Sequence, residues 1–303
     1  MRVVSLLPSA TEIVAALGHG GELVGRSAEC DYPPDVEPLP IVMKPRTLDS
    51  ERPSSEIDAR VRKARSAGES LYRLDVDRLR ELRPDVLFTQ ELCGVCSVTA
   101  EEVRAACRSA GISPAIVSLA PTTLTEVFDS ILTVGEALAD RPAAERLVSE
   151  LRERCRPSRT PREARPRVAI VEWLDPPILA GLWSSDMVDR AGGVPIGPPS
   201  REPGRRTTWG AVERGAPDLV VLSPCSFSVD RTRRELSDPA LLSRVKGACG
   251  RLGTVLADEA YFSRPGPRLA DGVSLLRQLL KGSLHAPPLP AEYLVSDRAR
   301  APA

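Results

Sequence analysis

Cys93-Gly-Val-Cys96 is a CxxC pair, a spacing that serves redox exchange or metal binding. Cys30 and Cys225 stand on other segments, each just past an apolar run. Four thiolates brought together would suit zinc or an iron–sulfur cluster. Here the ligands would arrive one, two and one, rather than as the two tight pairs of standard zinc modules. Cys107, Cys155 and Cys249 read as structural. Imidazole chemistry has little to work with. The chain has 2 histidines, His19 in a Gly-rich turn and His285 near the C-terminal end. No GxxxxGK[ST] phosphate loop, no GxGxxG after a strand and no GxSxG elbow occurs. Glu29 with Asp31, or Glu172 with Glu259, would make an acid pair, although capping of turns explains these carboxylates more simply.

These residues need a scaffold, and the pattern supplies one. Apolar runs of strand length alternate with stretches of helical periodicity, which is the signature of parallel sheets with helical crossovers. In such sheets ligands bind outside the carboxyl ends of the strands. The loops expected there are 28–34, 90–98, 173–177, 223–228 and 258–268. They carry or adjoin Glu29, Cys30, Asp31, Tyr32, Gln90, Cys93 and Cys96 in the first half of the chain. In the second half they carry or adjoin Glu172, Trp173, Trp183, Cys225, Phe227, Glu259, Tyr261 and Arg264. Aromatic walls with a few polar groups describe a small-molecule pocket.

The stretch Pro142–Cys155 divides the two halves. Pro142 suits a first helical turn, where its missing N–H is not needed. Ala144, Leu147, Val148, Leu151 and Cys155 then form one apolar stripe, on a helix of roughly 20 Å. The expected organisation is an N-terminal α/β lobe at 1–141, a linking helix at 142–156, a C-terminal α/β lobe at 157–282 and a flexible tail at 283–303. A capping box is expected at Ser9-Ala10-Thr11-Glu12. Lys44–Tyr72 is polar and reads as a surface excursion or lid, with a charged helix at Glu56–Ala67. One short echo links the halves: Arg83-Pro84-Asp85-Val86-Leu87 and Ala216-Pro217-Asp218-Leu219-Val220 both read as a helix end, a Pro-Asp turn and a buried strand.

Of the 303 residues, 42% are hydrophobic and 27% charged, an ordinary globular composition for two domains or one large one. Lys+Arg and Asp+Glu both number 41, so nothing favours nucleic acid or an anionic membrane. No apolar run has the roughly 18 residues of a membrane span. Met1-Arg2 leads straight into Val3-Val4-Ser5-Leu6-Leu7, too short for a signal-peptide core. The expectation from this is a cytoplasmic protein, or a periplasmic or cell-surface one if an upstream start supplies an export signal.

Several motifs, in order, resemble a known family. They are Ser5-Leu6-Leu7-Pro8-Ser9-Ala10-Thr11-Glu12, Asp31-Tyr32-Pro33-Pro34, Arg83-Pro84-Asp85, Asp175-Pro176-Pro177 and Tyr261-Phe262-Ser263-Arg264-Pro265-Gly266-Pro267-Arg268. The chain from about Arg2 to Leu280 is similar to the vitamin B12 (cobalamin) periplasmic-binding proteins. These belong to the helix-spaced class III of ABC-transporter substrate-binding proteins, beside the iron–siderophore binders. The resemblance implies two α/β lobes with mostly parallel sheets, one rigid linking helix, and a small-molecule ligand held in the interlobe cleft with little hinge motion. It also implies docking on a permease through one acidic residue per lobe. Asp77 matches the first of these, but the second falls at Gly210, so docking in the family manner lacks a charge. The aromatic that packs on the corrin before the Asp-Tyr-Pro-Pro turn is Glu29 here, and Lys44–Tyr72 replaces a shorter loop. The expectation is therefore a non-enzymatic binder of a cobalamin-like corrinoid or metal chelate. The alternative is a cytoplasmic cysteine-ligated metal or iron–sulfur protein on the same fold, with or without enzyme activity, using Cys30, Cys93, Cys96 and Cys225.

Overall fold

The computed structural model describes residues 1–46, 51–90, 98–284 and 290–295. The chain divides into two compact units. The first comprises Met1–Asp49, Ala59–Pro121 and Thr125–Leu151; the second comprises Ser50–Asp58, Thr122–Leu124 and Arg152–Ala303. Each has its own sheet.

In the first unit the strands are β1 (Val3–Ser5), β2 (Leu23–Ser27), β3 (Ile41–Pro45), β4 (Tyr72–Leu74), β5 (Val86–Gln90) and β6 (Ala115–Leu119). The helices are α1 (Pro8–Ala16), α2 (Ser54–Ser66), α3 (Val76–Leu82), α4 (Ala100–Ala110), α5 (Leu124–Ala137) and α6 (Arg141–Arg154). Residues 54–58 of α2, Leu124 of α5 and the last turn of α6 are counted with the second unit. The sheet order is β4-β3-β2-β1-β5-β6. All pairs are parallel except β3 with β4. Central strands are buried on both faces, as crossover helices require: Val3, Val4, Leu87 and Phe88 are fully enclosed. Leu79 of α3 and Val103, Ala106, Cys107 and Ala110 of α4 pack against Val4, Val42 and Leu87 on one face.

The local chemistry explains most boundaries. Asp75 caps α3 and Thr99 caps α4, the latter in a complete capping box with Glu102. Gly111, at φ 70°, closes α4 in the left-handed conformation that favours glycine. The box expected at Ser9 does not form. α1 begins two residues earlier, with Pro8 in its first turn and Leu7 as an N-cap without a side-chain bond. Ser9 and Glu12 are buried instead. Pro8 supplies a pre-set φ at the helix start and leaves no N–H to satisfy there.

The second unit holds β7 (Arg167–Leu174), β8 (Pro177–Leu179), β9 (Val194–Pro195), β10 (Arg205–Arg206), β11 (Leu219–Leu222), β12 (Thr254–Ala257) and β13 (Ala291–Val295). Its helices are α7 (Ser184–Ala191), α8 (Trp209–Arg214), α9 (Val229–Glu235), α10 (Pro239–Gly247) and α11 (Leu269–Leu280). The order is β10-β8-β7-β11-β12-β13, with β9 paired to β7. β11 lies parallel to β7 and β12, and the outer strands β8, β10 and β13 run antiparallel. All four residues of β11 have no exposed surface. Ala169, Val171, Val220, Leu222 and Leu256 share a core cluster with Trp209, Val212, Val229, Leu236, Leu241 and Val245. Residues beyond Gly282, expected to fray, include β13, which pairs with β12 from Thr254 to Ala257. A sheet edge offers unpaired backbone donors and acceptors, and this segment satisfies them.

Fold class follows: two α/β lobes with mixed, mostly parallel sheets, the chain passing from one to the other within α6. Among the described residues no helix is long and apolar enough to cross a membrane.

Candidate functional site

Among the described residues most of the expected set lies at or just past the carboxyl ends of the parallel strands, whereas Trp183 follows β8, which runs antiparallel to β7. In the first unit, β2 leads into residues 28–34. Arg26 organises this turn. Its guanidinium is buried and donates to the carbonyls of Ser27 at 3.1 Å, Cys30 at 3.0 Å and Glu37 at 2.6 Å. The Glu29 N–H donates to Ser27 Oγ at 3.3 Å. Glu29 is half-buried, Asp31 is exposed, and the Tyr32 ring is 43% exposed, which leaves it the most accessible aromatic of the expected set. Gln90 ends β5 half-buried. Arg26 was not among the expected residues. The signal was present, since a lone guanidinium within an apolar strand must find several acceptors when buried.

Cys30 has no exposed surface, and the Thr11 hydroxyl lies 3.1 Å from its sulfur. Cys225 is half-buried, and its N–H donates to the Glu172 carbonyl at 3.0 Å. Cys93 and Cys96 lie outside the described residues. Among the described residues no group of three or more His, Cys, Asp or Glu is arranged to hold a metal ion. Burial pushes the thiols of Cys107 and Cys155 up, away from thiolate chemistry.

In the second unit, β7 carries Glu172 and Trp173, both half-buried. Gly204 lets the Glu172 carboxylate close onto the backbone, since a Cβ there would stand 1.8 Å from Oε1. Trp173 is tilted against Phe227, with ring centroids 5.4 Å apart at 53°. The Arg231 guanidinium lies 4.2 Å from the Phe227 centroid, within cation–π range. Arg231 also pairs with Glu235 at 2.9 Å, both on α9 and both nearly buried. Residues 51–58, counted with this unit, pass over the same group. Trp173 Nε1 donates to the Ser54 carbonyl at 3.2 Å, and Arg231 Nη2 donates to the Arg52 carbonyl at 2.6 Å.

Four expected ligand contacts prove to be interior. Tyr261 has no exposed surface, Phe227 has 1% and Trp183 has 6%. The Trp183 indole is already bound to the Phe262 carbonyl at 2.7 Å. Glu259 is buried and paired with Arg264 at 2.8 Å, and it accepts the Ser226 N–H at 2.9 Å. Burial pushes the Glu259 carboxyl up while Arg264 pulls it down. The physical reason for this burial is common to the set. These residues follow strand ends, but a side chain two to five residues past a strand can turn back into its unit as readily as out toward a ligand. Trp209 is 4% exposed and donates to the Leu174 carbonyl. Arg231 and Glu235 were missed because a short helix of charged residues reads as solvated surface. Asp77 is exposed on α3 beside Arg80, and Gly210 lies on α8.

Against known proteins, a family model described as periplasmic binding protein matches residues 3–243. The vitamin B12-binding protein of Vibrio cholerae serotype O1 is 24% identical over 284 residues, covering 92% of this chain and 89% of its own. Among solved structures, a periplasmic heme binding protein from Pseudomonas aeruginosa superposes with a TM-score of 0.68 at 21% identity, covering 95% of this chain and 96% of its own. The periplasmic vitamin B12 binding protein of Vibrio cholerae gives a TM-score of 0.59 at 21% identity over 92% of this chain and 96% of its own. These structural likenesses show a shared fold. The family match overturns the expectation of a cytoplasmic protein, because that family is one of periplasmic binding proteins. That expectation rested on the short apolar run Val3–Leu7, which holds β1 and carries no information on the compartment.

Proposed function

Since the chain belongs to the periplasmic binding protein family, we infer that it is a binder rather than an enzyme, and that its ligand is a corrinoid or a closely similar metal-chelating macrocycle. The observation that carries the reading is the Trp173–Phe227–Arg231 group. An indole half-open at a strand end, backed by a second ring and a guanidinium, offers a flat apolar face beside donors. A macrocycle with an apolar plane and a carbonyl-rich rim needs both. The named relatives, which bind vitamin B12 or heme, share that ligand shape. Among the described residues the one histidine is His19, and it favours the corrinoid over heme. His19 precedes β2 at the amino edge of its sheet and is held by Glu22 and Asp140, so it is not at a strand exit. A cobalamin carries its own axial ligands and asks the protein for none.

The test is titration of the purified protein with cyanocobalamin, hemin and a ferric hydroxamate, read by quenching of tryptophan emission and by absorption. Saturable quenching by cyanocobalamin at the lowest concentration is expected. Preferential binding of the hydroxamate, or a cluster spectrum in the protein as purified, would overturn the reading.

A further inference from the structure

Residues 51–58 belong to the excursion between β3 and β4 of the first sheet, yet every contact described above ties them to the second unit. The ties converge on one short run of backbone. Ser54 donates both its N–H and its hydroxyl to Glu235 Oε1, each at 2.7 Å. Its carbonyl accepts from Trp173, and the Arg52 carbonyl, two residues earlier, accepts from Arg231. Farther along, Asp58 takes Arg206 in a two-point ion pair at 3.0 and 2.5 Å. Ser54 and Asp58 are buried, whereas Glu51, Pro53, Ser55 and Glu56 face solvent.

This is recognition of a chain by its backbone. Two donors meet alternate carbonyls and one carboxylate receives an N–H. Little apolar surface is buried in the exchange, Ile57 being the one large apolar side chain of the segment that is enclosed. Polar contacts of this kind add modestly to stability because water replaces them on release. Segments held in this way are drawn from the locally opening part of a protein, whereas the fully buried β11 opens only with the fold. What they cover is the half-open Trp173 and the nearly buried Arg231.

We propose that residues 51–58 form a releasable strap that occupies the Trp173–Arg231 face of the second unit and is displaced by the ligand. The strap's carbonyls stand where the carbonyl or carboxylate rim of a ligand would take the same donors. With the strap gone, Trp173 Nε1, Arg231 and Arg206 lose an acceptor each, and Glu235 loses two donors. The face is then rich in donors of positive charge and fits an anionic or amide-bearing rim. The ligand class rests on the proposed function above; the release of the strap does not.

The Ser54 amide provides a direct readout. It is the first residue of α2, so no intrahelical carbonyl protects it, and its protection from exchange comes from Glu235. In the wild-type full chain, the Ser54 amide is expected to exchange at least about a hundredfold faster than Val220 and Val221 of β11, as local opening requires. Asp58→Asn, which weakens the charge-assisted pair with Arg206, should speed it by about tenfold and leave β11 unchanged. Ser54→Ala, which removes one of the two bonds to Glu235, should release Trp173 as a red shift of its emission and serves if the first variant does not fold. Exchange of Ser54 at the β11 rate in the wild type would overturn the proposal. With cyanocobalamin as the probe, saturation should remove Ser54 protection, and Asp58→Asn should bind it about fivefold more tightly. Binding that leaves Ser54 exchange and the variant's affinity unchanged would also overturn it. If cyanocobalamin does not bind at all, the ligand reading fails, and the apo exchange rates alone decide for or against the strap.

Discussion

The Asp85 carboxylate accepts the backbone N–H of Arg2 at 2.7 Å, fastening the entry of β1 to the entry of β5. Asp218 does the same for Arg167, also at 2.7 Å, at the entries of β7 and β11. In both units the arginine also reaches back to a carbonyl at the end of the preceding helix, Leu82 or Gly215. The Pro-Asp echo in the sequence is thus one device used twice. Asp85→Ala and Asp218→Ala should each lower unfolding stability by about 1 kcal/mol, and the Asn variants, which keep an acceptor, by less. Urea denaturation of the four variants checks this. Equal losses for Ala and Asn would point to charge rather than to the backbone bond.

His19 sits between two carboxylates, with Nδ1 2.9 Å from Glu22 and Nε2 3.2 Å from Asp140. The hydrogen bond to Glu22 leads in raising the His19 pKa above 6.5, against desolvation. The bond to His19 leads in lowering Glu22 and Asp140 below 4.5 and 3.8. For the imidazole, the stabilisation is complete below the unfolded value and lost as pH rises through the folded one. For the carboxylates it is complete above their unfolded values and lost as pH falls through the folded ones. The cluster therefore supports the fold best between about pH 5 and 6.5. Melting temperatures of wild type and His19→Gln should differ most in that window and converge as pH rises through the raised folded-state value of the imidazole. A constant difference across the range would show that packing, not charge, is lost.

Gly135 on α5 admits the close approach of α6, because a Cβ there would stand 2.4 Å from the Ala144 Cβ. Gly135→Ala gains up to about 1 kcal/mol of helix propensity. Against this stands an overlap of two Cβ atoms, neither of which can rotate away, at about 1–3 kcal/mol. The clash should win, giving a net loss. Ala144→Gly in the same chain should recover part of it, a coupling that a double-mutant cycle by thermal melting reads directly.

Trp173 and Tyr261 looked alike in the sequence, as aromatics near strand ends. Tyr261→Ala should cost about 3–5 kcal/mol of stability, since the ring is fully enclosed. Trp173→Ala should cost less and abolish most of the quenching by cyanocobalamin. A folded Tyr261→Ala protein with lost binding, beside an unaffected Trp173→Ala, would reverse the assignment.

Much of the fold was legible because its signals are local. Thr99 with Glu102, Asp75, Pro142 and the Gly192 stop each act within one turn of the chain. Parallel strands buried on both faces announce themselves as unbroken apolar runs, as at Leu219–Leu222. The short antiparallel edges, β8, β10 and β13, were not legible, since two to five residues carry no period and need a partner to exist. The site was legible by loop but not by side chain. Sequence order shows which residues leave a strand, and only packing settles that Tyr261 and Phe227 turn inward while Tyr32 stays out. The roles of Arg231 and Glu235 belong to tertiary structure altogether. A buried charge is tolerated where several acceptors or donors converge on it, and those of Arg231 and Glu235 come from residues about 180 positions apart, 181 for Ser54 and Glu235.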